Sequence, residues 1–121
     1  MANVLCTGIH PGLVHTRKLI LERGGHFVAI ALSEAEVAAA CQQAAFDVAV
    51  ISQITAGKAK AEWQAAIRRH CPSARILEIY LPGVGTALDD ADDWLSSSAE
   101  LSQLASRVSA LAGTNKKAAT L

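Results

Sequence analysis

The sequence predicts an α/β domain in which a parallel sheet carries helices on both faces. Short apolar runs rich in β-branched or aromatic residues alternate with helix-like segments along the whole chain. These runs are continuously apolar rather than alternating, the pattern of strands buried on both faces. The segments between them are long enough to hold the helices that parallel crossovers require.

The strand candidates are Val4 to Thr7, Phe27 to Leu32, Val48 to Ile51, Ile76 to Leu81 and Trp94 to Leu95. Between the first two, Leu13, Thr16 and Ile20 recur at helical spacing, and Gly24-Gly25 reads as a helix stop. Ser33-Glu-Ala-Glu36 is a capping box ahead of a Val37, Ala40, Cys41, Ala44 stripe. A third helix spans about Lys58 to His70, with Trp63, Ala66, Ile67 and His70 on one side. Ser97-Ser-Ala-Glu100 reads as a second capping box, followed by Leu101, Leu104, Val108 and Leu111, with Gly113 as the stop and a frayed tail beyond it.

At 121 residues and 51% hydrophobic, the chain suits one domain. Eleven basic residues balance eleven acidic ones, so the electrostatic footprint of a nucleic-acid or anionic-lipid binder is missing. No apolar run is long enough to span a bilayer, and the N-terminus does not read as a secretion signal. Cys6, Cys41 and Cys71 are odd in number and lie in apolar segments, which suits reduced thiols in a cytoplasmic protein.

The phrases "IHPGLVHTRKLILERGG", "FDVAVIS", "IRRHCPSARIL" and "ADDWLSSSAELSQLASRVSAL", in this order, resemble the receiver domain of bacterial two-component response regulators. The framework positions are Pro11, Asp47, Arg68, Pro72 and the Ala91-Asp92-Asp93-Trp94-Leu95 run. The resemblance implies a flavodoxin-like, CheY-like doubly wound sheet of five parallel strands in the order 2-1-3-4-5. It places a receiver-like domain at residues 1–112 and a C-terminal tail at 113–121.

That family phosphorylates an aspartate at the end of the third strand, using two acidic residues that hold Mg²⁺, a hydroxyl after the fourth strand and a lysine after the fifth. The resemblance carries the acidic pair to Gly8 and Ile9, the acceptor to Ser52, the hydroxyl position to Tyr80 and the lysine to Ser97. None keeps the required chemistry. Mg²⁺ needs hard oxygen ligands, and phosphoryl transfer rests on positioned charge. No metal or cofactor is expected, and no enzymatic activity.

Ser52 as a nucleophile of another kind would need a base, for which His10 is nearest by topology, but no Gly-x-Ser-x-Gly elbow surrounds it. His10, His15, His26 and His70 lack metal-like spacing and read as surface or helix-flank residues. "GVGTAL" lacks the third glycine of a dinucleotide turn, and Asp89, Asp90, Asp92 and Asp93 read as a solvated lead-in to the fifth strand.

The segment from Tyr80 to Ser97 is shorter than its receiver counterpart by a helical turn or more, so the fourth helix should be a stub or absent. Glu78, in the middle of an interior strand, then need not be buried. The uncovered surface should expose Tyr80, Leu81, Pro82 and Trp94 as contacts for a protein partner or a second copy. The function read from these features is signal transduction by a phosphorylation-independent protein-interaction module. The alternative is a flavodoxin-like domain that binds a small ligand or nucleotide at its strand ends.

Overall fold

Interior strands of a parallel sheet must be apolar on both faces, and the alternation of side chains along them divides the core in two. The computed structural model describes residues 2–53 and 57–120, with side chains described except at 57 and 114–120. The elements are β1 (Asn3–Thr7), α1 (Pro11–Arg23), β2 (Phe27–Ala31), α2 (Glu34–Gln43), β3 (Val48–Ile51), α3 (Gly57–His70), β4 (Arg75–Tyr80), β5 (Asp93–Ser96), a 3₁₀ turn (Ser97–Ala99) and α4 (Glu100–Thr120). The sheet order is β2-β1-β3-β4-β5 with every pairing parallel, as the sequence predicts. Leu5 lies between Ala29 and Ala49, and Leu77 between Val50 and Asp93.

On one face Val4, Cys6, Val48, Val50, Leu77 and Ile79 pack against Val14 and Leu21 of α1 and Leu104, Val108 and Leu111 of α4. On the other, Leu5, Ala49, Ile51 and Ile76 meet Val37 of α2 and Trp63 and Ile67 of α3. Each fully buried aliphatic side chain contributes about 1.5–3 kcal/mol, so the two clusters hold the helices in place. Among the described residues no helix is long and apolar enough to cross a membrane.

Helix ends follow the local chemistry in two cases. Pro11 opens α1, and the helix closes with the amide of His26 donating to Leu21 O at 3.1 Å and Gly25 at φ 90°, a turn that only glycine makes without strain. Ser33 Oγ accepts from the Glu36 amide at 3.2 Å, while the Glu36 carboxylate accepts from the Leu32 amide, one residue before the cap.

The other helix readings need correction. The buried stripe of α1 is Val14, Arg17 and Leu21, with Thr16 exposed. The charged Arg17 hid that register. On α3 the inner face is Lys60, Trp63, Gln64 and Ile67, and His70 is exposed. Leu101 is 83% exposed, so the α4 stripe begins at Leu104. Glu100 does not close a capping box: Ser96 Oγ accepts from the Ser98 amide at 3.3 Å, and the Glu100 carboxylate is spent elsewhere. Gly113 does not end α4, because its φ is not positive and the helix runs on to Thr120.

Between β4 and β5 there is no helix; residues 81–92 form a turn and an irregular stretch instead. Its start is a tight turn, with the amides of Val84 and Gly85 both donating to Leu81 O at 2.9 Å and Gly85 at φ 84°. The stretch then folds back on the sheet, burying Leu88 and Ala91 in the α2–α3 core. Asp92 and Asp93 anchor it instead of lying solvated: Asp92 Oδ2 accepts from the Ile76 amide at 2.7 Å, and Asp93 pairs with Arg107 at 3.1 Å.

Two further expectations fail. Cys41 and Cys71 are joined as a disulfide, with Cα atoms 5.7 Å apart, so only Cys6 is a free thiol. Their separation of 30 residues conceals a contact that only the packing of α2 beside α3 creates. His26 is buried rather than a surface histidine, with Nδ1 accepting from the Ala2 amide and Nε2 facing Ser109 Oγ, both at 3.1 Å.

Candidate functional site

Ligands in doubly wound sheets bind beyond the carboxyl ends of the strands, where β1 and β3 here end side by side. Thr7 and Ser52 occupy those ends. Thr7 Oγ1 donates to Val50 O at 2.9 Å, and Ser52 Oγ donates to Thr7 O at 2.7 Å, tying the two tips together. Ser52 is 3% exposed.

Into this corner α1 projects Arg17, which is 1% exposed despite its charge. Its Nη1 donates to Ser52 Oγ at 2.5 Å, and its Nη2 donates to Gln53 Oε1. Nε and Nη2 reach the two Glu100 oxygens at 2.5 and 3.0 Å, a bidentate fork of the kind that guanidinium geometry favours. Glu100, at the start of α4, is 8% exposed. One cation and one anion therefore neutralise each other in the space above the strand ends.

Gly8 belongs to the same corner for a steric reason. A Cβ there would run into Ser52 Oγ and lie 2.8 Å from Val14 Cγ2, so no side chain, acidic or otherwise, fits at this position without a shift. Ile9 points outward and is 53% exposed. Tyr80 is half-buried at the end of β4, and Ser97 is half-buried in the 3₁₀ turn. Of the five positions carried over from the receiver pattern, the structure brings together Gly8 and Ser52; the hydrogen-bonded network among the described residues does not include Ile9, Tyr80 or Ser97.

Chemically the corner is closed. Ser52 Oγ is engaged by a guanidinium and a carbonyl, neither of which is a base able to take its proton. The one carboxylate, Glu100, is committed to Arg17, and no group of three or more His, Cys, Asp or Glu able to hold a metal occurs among the described residues. Cys6, buried beside this corner, has its thiol pushed up to about 12 by burial, with Arg17 opposing and Glu100 adding to the shift. It is an inert thiol at neutral pH.

A second buried ion pair organises the far side of the sheet. Glu78 is fully buried, contrary to the expectation that the missing helix leaves it wet. Lys60 of α3 reaches it at 2.7 Å and also donates to Ile79 O at 3.0 Å. The amides of Ala87 and Leu88 each donate to a Glu78 oxygen at 2.8 Å. The carboxylate is therefore paired and saturated, the condition under which a buried charge is tolerable. It pins the irregular 81–92 stretch against the strand, and Trp94 Nε1 adds a bond to Leu88 O at 2.8 Å. Tyr80, Leu81 and Trp94 are half-buried as a result, and Pro82 and Val84 are exposed, Val84 by 66%.

Arg17, Glu100, Gln53 and Lys60 were missed as site residues from sequence. The signal that could have found two of them is a cation on an apolar helical stripe: Arg17 between Val14 and Leu21, and Lys60 one turn before Trp63 and two before Ile67.

No family model matches the sequence, and no curated protein matches it. Solved structures do. A CheY-like response regulator receiver domain protein from Methanospirillum hungatei superposes with a TM-score of 0.78 at 17% identity, over 97% of this chain and 98% of its own. The response regulator TrrA from Thermotoga maritima, in complex with Mg(2+)-BeF, gives 0.74 at 18%, over 92% and 99%. A structure described as an adenylate cyclase from Rhodopirellula baltica gives 0.82 at 17%, over 98% and 92%. The agreement covers nearly the full length of each chain, and the chain has the CheY-like receiver-domain fold.

Proposed function

We propose that this chain is a receiver-type signalling module that works without phosphorylation, by binding a protein partner, and that it is not an enzyme. The observation that carries this reading is the Arg17–Glu100 pair seated on Ser52. A phosphoryl-accepting corner must admit a metal and a group with three charged oxygens, whereas this one is filled by its own neutralised side chains. The same filling disfavours a small ligand at the strand ends.

Incubation with acetyl phosphate and Mg²⁺ is expected to add no phosphate by intact mass. Ser52→Asp is expected to remain unmodified as well. A carboxylate at position 52 would lie against the Arg17 guanidinium, and Gly8 leaves no room for metal ligands beside it. An adduct mapping to Ser52 would overturn the reading.

The contact surface proposed is the rebuilt β4–β5 margin, with Tyr80, Leu81, Pro82 and Trp94 as the contacts. Its support is the exposed Pro82 and Val84 beside half-buried aromatics, a mixture suited to an interface core. Tyr80→Ala and Leu81→Ser are expected to weaken self-association or partner binding at least tenfold, read by light scattering and by titration with the recovered partner. If both variants keep the wild-type mass and affinity, the interface lies elsewhere.

A further inference from the structure

The Cys41–Cys71 bond links the last turn of α2 to the residue that follows α3, on the opposite side of the sheet from the Arg17 corner. Cys71 is 5% exposed, while Cys41 is only half-buried. Beside them opens a cavity of about 380 Å³ lined by both cysteines together with Gln43, Phe46, His70 and Ser73. A thiolate in this cavity meets Cys41, the more exposed of the two cysteines. Cys6 is too deeply buried and too weakly acidic to compete as an internal thiol.

We propose that Cys41 and Cys71 form a reversible thiol–disulfide site that clamps α2 to α3, with a low-molecular-weight thiol of the glutathione class as its reactant. In the reducing direction the thiolate attacks Cys41 Sγ, the Cys41–Cys71 bond breaks, and Cys71 leaves as a thiolate that takes a proton from solvent. A second thiolate then attacks the outer sulfur of the mixed disulfide, releasing Cys41 as a thiolate that is likewise protonated. The protein disulfide is reduced to two thiols, and two small thiols are oxidised to one small disulfide. Opening the bond removes a cross-link across 30 residues, on the face of the sheet away from the Arg17 corner.

The folded protein is equilibrated in glutathione buffers from reducing to oxidising, blocked with iodoacetamide and read by intact mass and peptide mapping. Cys41 and Cys71 are expected to pass together from both alkylated to both protected. Cys71→Ser should collect one glutathione at Cys41, and Cys41→Ser far less at the buried Cys71. Reduction should lower Tm by about 10 °C, as should either serine variant. A bond that survives excess reduced glutathione in the folded protein would overturn the proposal. So would a pair that stays alkylatable in oxidising buffer, or serine variants that melt with the oxidised wild type.

Discussion

Arg17→Ala is expected to cost about 3–5 kcal/mol of folding stability, the penalty for removing one partner of a buried ion pair. Glu100 would keep a carboxylate that is 10% exposed at its side chain and lose both guanidinium bonds, and Ser52 and Gln53 would lose theirs. Against a total of about 5–15 kcal/mol for a domain, that loss is severe and should be plain in urea denaturation. Glu100→Gln should cost a similar amount, about 3–5 kcal/mol, because the buried guanidinium loses its counter-charge and one of its N–H donors then faces the amide NH₂. The double variant Arg17→Met with Glu100→Leu should recover most of the loss, since it leaves no orphaned charge. A loss below about 1 kcal/mol for Arg17→Ala would show that the corner is wet and the pair is weakly coupled.

The fold was legible in the sequence because its signals are local. The apolar runs from Val4, Phe27, Val48 and Ile76, the glycine pair after Arg23 and the Ser33 cap each state their own conformation, and the order 2-1-3-4-5 followed from the resemblance. The missing helix was legible from a comparison of lengths, since the segment from Tyr80 to Ser97 falls short of its receiver counterpart by a helical turn or more. The site was legible only in part. Ser52 and Gly8 lie side by side, but the residues that fill the corner come from α1 and α4, and their pairing spans 83 residues. Arg17 was passed over because helical periodicity counts apolar positions. Glu100 was misread because a serine three residues earlier makes a plausible cap. Cys41 and Cys71 failed for the same reason: spacing in sequence does not report the packing of α2 on α3.

Lys60→Met is expected to destabilise the protein by an amount similar to Arg17→Ala, about 3–5 kcal/mol, with a different local signature. Glu78 is 0% exposed, and with the ammonium gone it would hold a charge against only the Ala87 and Leu88 amides. Two amide bonds to a carboxylate contribute about 1.5–3 kcal/mol each, which does not offset the desolvation of an unpaired ion. Because the pair is buried, the loss should change little between low and high salt, unlike that of an exposed pair such as Lys18–Glu22. Glu78→Ala separates the roles. It strips the acceptors from the 81–92 stretch, so hydrogen exchange at Ala87 and Leu88 should accelerate by about tenfold to a hundredfold. The amides of β1 and β3 should keep protection scaled to the global stability. If exchange at Ala87 and Leu88 is unchanged in Glu78→Ala, the stretch is held by Leu88, Ala91 and the Trp94 bond alone, and the buried carboxylate does not shape the β4–β5 margin.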